Sequence, residues 1–143
     1  MKIGELAKVA QCTVETVRYY EKEGLLAAPA RTEANYRHYS TAHLERLRFI
    51  RNCRALDMTH EEIRALLGLM DQSAKDCGPV NQLLDEHIAH VDERIAELAQ
   101  LKQQLSDLRR RCLSEQGVED CGILQGLAAM ETEARPERHT HLG

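Results

Sequence analysis

Three cysteines, Cys77, Cys112 and Cys121, carry the clearest hint of chemistry in this sequence. Thiolates are soft ligands, and three without a fourth partner suit Pb(II), Cd(II) or Hg(II) better than tetrahedral Zn(II). Cys77 and Cys112 are 35 positions apart with helical pattern between them. On a straight helix that is about 50 Å, so one chain cannot close a site from both. If two long helices pair antiparallel, Cys77 of one meets Cys112 and Cys121 of the other, giving two three-thiolate sites per dimer. The alternative is unrelated surface or core thiols, and spacing alone leaves both open. Cys12 and Cys53 sit in helical segments with no cysteine nearby and read as small buried hydrophobes. Histidines offer a weaker second site for Cd(II) or Zn(II): His87 and His90, at i and i+3 near Asn81, with His139 and His141 in the tail. Their other reading is a solvated helix face and a solvated tail.

A second group is basic and aromatic. Glu15, Arg18, Tyr19 and Lys22 lie on one short helical segment opened by Thr13, and Tyr36-Arg37-His38 follows on a punctuated stretch. Arg and Lys neutralise phosphates, and Tyr hydroxyls bond phosphate oxygens. Thr13 and Glu15 are the short polar side chains placed to touch base edges. A solvated basic face with two core tyrosines would look the same.

The elements that must position these groups are helical. Segments 4–10 and 13–23 place Leu6, Ala7, Ala10, Val14, Val17 and Tyr20 at spacings of three and four. Thr13 is the expected N-cap of the second and Gly24 its stop, the outline of a helix-turn-helix. Residues 28–39 read as a loop or a two-stranded wing. Ser40 caps a third helix with Leu44, Leu47, Ile50 and Leu56 apolar, and Thr59-His60-Glu61-Glu62 is a capping box for a fourth. From Leu84 to Cys112 the apolar positions are spaced 4, 3, 4, 3, 3, 4, 3 and 4, a coiled-coil seam with one stammer. A seam that long needs a partner helix, and a second copy is the simplest one. The expected organisation is a winged helix-turn-helix domain over 1–70, a connector over 71–79, a dimerisation helix over 80–111, a metal-binding loop and short helix over 112–130, and a disordered tail over 131–143.

Composition agrees. Within 143 residues, all five aromatic side chains fall in the first 49, so one aromatic-filled core across the chain is excluded. The net charge of −4 divides into +4 over residues 1–56 and −8 over the rest, a basic head for a polyanion and an acidic remainder for something else. No apolar run is long enough to span a membrane, and the start has no signal-peptide pattern, so a cytoplasmic, membrane-free protein is expected. No nucleophile–base or carboxylate pair stands in a recognisable setting, which argues against an enzyme.

The motifs Ile3-Gly4-Glu5-Leu6-Ala7, Thr16-Val17-Arg18-Tyr19-Tyr20-Glu21, Gly24-Leu25-Leu26 and Asn35-Tyr36-Arg37-His38-Tyr39 resemble the DNA-binding head of the MerR family of transcription regulators. Leu47-Arg48-Phe49-Ile50 and Met58-Thr59-His60-Glu61-Glu62-Ile63 continue the resemblance. It implies a mainly α fold: a winged helix-turn-helix head and a long antiparallel coiled-coil dimerisation helix with an effector site at its ends. It also implies phosphate-holding roles for Arg18, Tyr20, Tyr36 and Arg37, and metal ligation by Cys77, Cys112 and Cys121. Cys77-Gly78-Pro79-Val80-Asn81, Leu83-Leu84-Asp85-Glu86-His87-Ile88 and Cys121-Gly122-Ile123-Leu124 look most like the cadmium- and lead-responsive branch.

The expectation is a homodimer on a palindromic promoter operator in double-stranded DNA. On binding Cd(II) or Pb(II) it would bend and untwist that DNA for RNA polymerase. Zn(II) or Hg(II) as effector, a sensor of oxidation or an organic ligand, and a metal-buffering coiled coil are the alternatives. The absence of aromatics beyond Phe49 argues against a drug pocket.

Overall fold

Thr13 does what its position promises: its Oγ1 accepts the Thr16 N–H at 3.1 Å, closing the N-terminus of a short helix. In the computed structural model, which describes residues 1–72, 76–115 and 117–132, this helix is α2 (Val14–Lys22) and it follows α1 (Ile3–Val9). The turn between them passes through Gln11 at φ +57°, and Gly24, at φ +75°, ends α2 where a side chain would be strained. Strands β1 (Ala30–Arg31) and β2 (Arg37–His38) then pair antiparallel, Ala30 opposite His38, around a turn that uses Asn35 at φ +66°. Helices α3 (Thr41–Ala55), α4 (His60–Asp71), α5 (Gly78–Arg109) and α6 (Gly122–Ala129) complete the order, with a 3₁₀ turn at Val118–Asp120. The fold is mainly α: a winged helix-turn-helix head and a long helix of coiled-coil pattern.

The chain divides into two compact units, residues 1–87 and residue 88 onward. In the first, Leu6, Ala7, Ala10, Val17, Leu26, Tyr39 and Leu47 form one buried cluster. Leu25, Ile50, Cys53, Met58, Ile63 and Leu67 form a second. Tyr20 packs against both. The Tyr39 hydroxyl donates to Glu21 Oε1 at 2.5 Å, which ties the wing to α2. The Thr59–Glu62 capping box is present, each side chain bonding the other residue's backbone N–H, and such a cap contributes about 1 kcal/mol. Leu56, expected among the apolar positions of α3, is its C-cap and 65% exposed.

In the second unit no hydrophobic side chain is buried among the described residues. Ile88, Val91, Ile95, Leu101 and Leu105 form an exposed stripe along α5. The helix starts two residues earlier than its spacing indicates. Pro79 fits the first turn, where its missing N–H has no helical partner to lose. It also stops two residues earlier, because Arg111 N–H and Cys112 N–H bond back to the carbonyls of Leu108 and Arg109 and wind the chain tighter. The expected disordered tail, with His139 and His141, lies outside the described residues from 133 on.

Candidate metal centre and nucleic-acid interface

Arg18 and Lys22 stand one turn apart on the exposed face of α2, and with Glu21 and Arg37 they line an open hollow beside the wing. Arg37 reaches within 3.8 Å of Glu21 Oε2, so one carboxylate holds both the wing arginine and the Tyr39 hydroxyl. Tyr36, Arg37 and His38 are exposed on the wing, and Thr13 and Glu15 are exposed at the start of α2. The two neighbouring tyrosines differ. Tyr19 is exposed and its hydroxyl lies 3.3 Å from His60 Nδ1. Tyr20 is half-buried between the two core clusters, where burial pushes its hydroxyl pKa up. The head therefore presents two arginines and a lysine on one surface, with a single acidic group holding that surface together.

The cysteines separate into two kinds. Cys53 is buried in the second cluster and Cys12 packs against the first, and burial raises both thiols. Cys112 and Cys121 are partly exposed at the two ends of the loop that follows α5, each shifting the titration of the other, and the Cys112 thiol donates to the Ser114 carbonyl at 3.6 Å. The neighbouring Cys121 holds Cys112 above the ordinary thiol range, whereas the Leu124 and Ile123 N–H groups at the start of α6 pull Cys121 below it. A thiolate on Cys121 is the form a metal needs. Cys77 is exposed at the start of α5, its carbonyl accepting the Asn81 N–H at 2.8 Å.

His87 is not on a solvated face. It is 8% exposed, and its Nε2–H donates to the Leu56 carbonyl at 2.8 Å. Its Nδ1 lies 2.8 Å from Glu62 Oε2 but out of line for a hydrogen bond, which leaves a buried ring nitrogen beside a carboxylate oxygen. An imidazole whose far nitrogen is fixed by a backbone carbonyl is oriented as metal-bound histidines are. Asn81 and His90 are exposed on α5, His90 one turn beyond His87.

Residues 1–69 match the family described as "MerR HTH family regulatory protein", and residues 44–108 that described as "MerR, DNA binding". An HTH-type transcriptional regulator of Haemophilus influenzae, a ZntR homolog, is 50% identical over 114 residues, 80% of this chain and 84% of that one. This chain belongs to the MerR family. Among solved MerR-type structures, the transcription regulator PbrR691 of Ralstonia metallidurans CH34, in complex with lead(II), shares 55% identity at TM-score 0.79, covering 89% of this chain and 98% of that one. MerR of Bacillus megaterium MB1, in complex with mercury(II), shares 30% identity at TM-score 0.73, covering 90% and 99%. This MerR-family chain is a metal-responsive, DNA-binding transcription regulator rather than an enzyme.

Two features beside the candidate metal ligands are absent from the sequence reading. Glu62 reads there as a capping residue, and it is: Oε1 accepts the Thr59 N–H. Its second oxygen faces His87, a neighbour 25 positions away that no local pattern announces. The other is the pair of N–H groups at Leu124 and Ile123. Their signal was available, since Cys121 immediately precedes the apolar run that becomes α6.

Proposed function

We propose that this chain binds a palindromic promoter operator as a homodimer in the cytoplasm and activates transcription of metal-resistance genes when it binds Cd(II) or Pb(II). The observation that carries this reading is the pair of free, partly exposed cysteines, Cys112 and Cys121, at the two ends of the loop between α5 and α6. The soft ions favoured by such donors are the large thiophilic ones. The ZntR homolog, the lead-bound PbrR691 and the mercury-bound MerR support a metal effector without choosing among metals.

The exposed stripe of α5 calls for a second helix. Antiparallel pairing with a second copy would bring the partner's Cys77 to Cys112 and Cys121, completing three thiolates at each end of the coil. Glu62 and His87 would form a second and harder nitrogen–oxygen site, to which Asn81, His90, His139 and His141 are further candidates. In the head, Arg18, Lys22, Tyr36 and Arg37 hold phosphates, joined by Tyr19, Tyr20 and His38, while Thr13 and Glu15 face base edges. The metal favours the activating arrangement only as far as it binds that arrangement more tightly, and the quantity biased is DNA deformation, a few kcal/mol. RNA polymerase then reads the altered promoter.

The test uses two variants, Cys77→Ser and the double variant Cys112→Ser with Cys121→Ser. Neither homodimer should assemble a complete site. After subunit exchange the mixed dimer has one complete site, and thiolate-to-metal charge-transfer absorption returns. Exchange without recovered binding would overturn the shared site. Reporter transcription across Cd(II), Pb(II), Zn(II) and Hg(II) then ranks the effectors.

A further inference from the structure

The two thiols are held together by little of their own loop. Leu113 and Val118, the apolar residues between Cys112 and Cys121, are 86% and 74% exposed. Two side-chain bonds help, Arg109 to the Cys112 carbonyl at 2.7 Å and Gln125 to the Glu119 carbonyl at 3.2 Å. The close packing is at the base of the loop. A methyl group at Gly122 would stand 2.4 Å from the Arg111 carbonyl oxygen and 3.1 Å from Arg111 Cβ. One at Gly126 would stand 2.4 Å from Arg111 Nη1 and 3.1 Å from Leu108 Cδ1. Gly122 and Gly126 are four apart, so they share one face of α6. That face lies on Leu108 in the last turn of α5 and on Arg111, two residues beyond its end. Arg111 directly precedes Cys112 and Gly122 directly follows Cys121. The contact therefore sits one residue from each thiol.

We infer that Gly122 and Gly126 are positioning residues for the metal-binding thiols, their missing side chains letting α6 approach Arg111 closely enough to hold Cys121 beside Cys112. This rests on the proposal that these two cysteines ligate the effector. The two glycines differ in a way that the atoms define. At Gly122 the obstacle is a backbone carbonyl, which no rotamer change removes. Restoring ordinary contact there requires α6 to retreat by about 1 Å, since carbon contacts settle near 3.5 Å. Metal–ligand distances tolerate shifts of only about 0.2 Å. At Gly126 the closest obstacle is the end of a flexible arginine side chain, which can swing aside.

The experiment is titration of the full-length protein with Pb(II) and with Cd(II), read by thiolate-to-metal charge-transfer absorption. Far-UV circular dichroism and metal-free operator binding serve as controls. Gly122→Ala should keep its helicity and operator binding while its metal affinity falls by about 10- to 100-fold, the range seen when groups that orient metal ligands are lost. Gly126→Ala should lose less. Adding Arg111→Ala should recover most of the Gly126→Ala loss and none of the Gly122→Ala loss. Wild-type affinity and absorption in Gly122→Ala would overturn the inference. If that variant does not fold, the Gly126→Ala pair decides, and failure of Arg111→Ala to restore binding would overturn it equally. Undiminished binding by Cys112→Ser and Cys121→Ser would instead defeat the metal-site reading itself, whatever the glycines do.

Discussion

The head and the region beyond His87 solve the problem of burial in opposite ways. Among the described residues, 1–87 enclose thirteen buried hydrophobic side chains in two clusters, linked through Tyr20 and braced by hydrogen bonds such as Tyr39 to Glu21. Beyond that point the described chain buries no hydrophobic side chain, and Ile95 at the middle of the stripe is 59% exposed. Roughly 25 cal/mol is gained for each Å² of apolar surface removed from water, a gain that the first region makes within itself and the exposed stripe of the second does not. The lesson is a division of labour. The region with a buried core carries the DNA-binding surface, and Cys112 and Cys121 sit in the region whose apolar stripe is exposed.

The largest effect should come from charging the stripe. Ile95→Asp is expected to convert dimer to monomer in sedimentation experiments at micromolar protein while the head still melts cooperatively. A variant that stays dimeric would break the contrast. Next, Ile50→Ala, which hollows the second cluster, should cost the head about 2–5 kcal/mol. Its loss should be independent of protein concentration, whereas stability lost with Ile95→Asp should scale with concentration by mass action. Equal concentration dependence in both variants would mean that the head also needs the dimer.

A smaller loss is expected from His87→Ala, which removes the donor to the Leu56 carbonyl. About 1–2 kcal/mol in urea denaturation is the scale for one such partner, and total Cd(II) bound should fall while induction persists. Unchanged stoichiometry would remove His87 from any second site. The smallest effect is on reactivity alone. Cys121, held below the ordinary thiol range by the Leu124 N–H, is more thiolate at any pH beneath that range than Cys112, held above it by its neighbour Cys121. Burial raises Cys12 and Cys53. Iodoacetamide mapped by mass spectrometry as pH rises should therefore modify Cys121 before Cys112, and the two head cysteines last. Simultaneous modification would erase the distinction between the two kinds of thiol.

What was legible in the sequence was what is local. Thr13, Gly24 and the Thr59–Glu62 box announce helix ends through bonds to neighbours within a turn, and each is found in place. Alternation of threes and fours exposes the stripe of α5 because periodicity is a property of one helix. Tertiary pairings were not legible. Leu56 keeps the spacing of a core residue yet ends α3, because Asp57 at φ +62° turns the chain there. The burial of His87 follows from the Leu56 carbonyl and Glu62, which lie far from it in sequence. The close approach at Gly122 leaves no trace in periodicity, since glycine has no side chain with which to mark a face.

The exposure of the thiols also sets how an ion leaves. A metal sealed inside a core departs only as fast as the protein opens. Cys112 and Cys121 are partly exposed and Cys77 is exposed, and the proposed three-ligand site would keep a side open to an incoming group. A small thiol from solution can add to the bound ion before any protein thiolate lets go. Removal of metal should then quicken in proportion to added glutathione in stopped-flow absorption, and a rate indifferent to glutathione would mean that the fold gates release. Under that exchange the signal ends when cellular thiols reclaim the ion, with no unfolding and no degradation of the regulator.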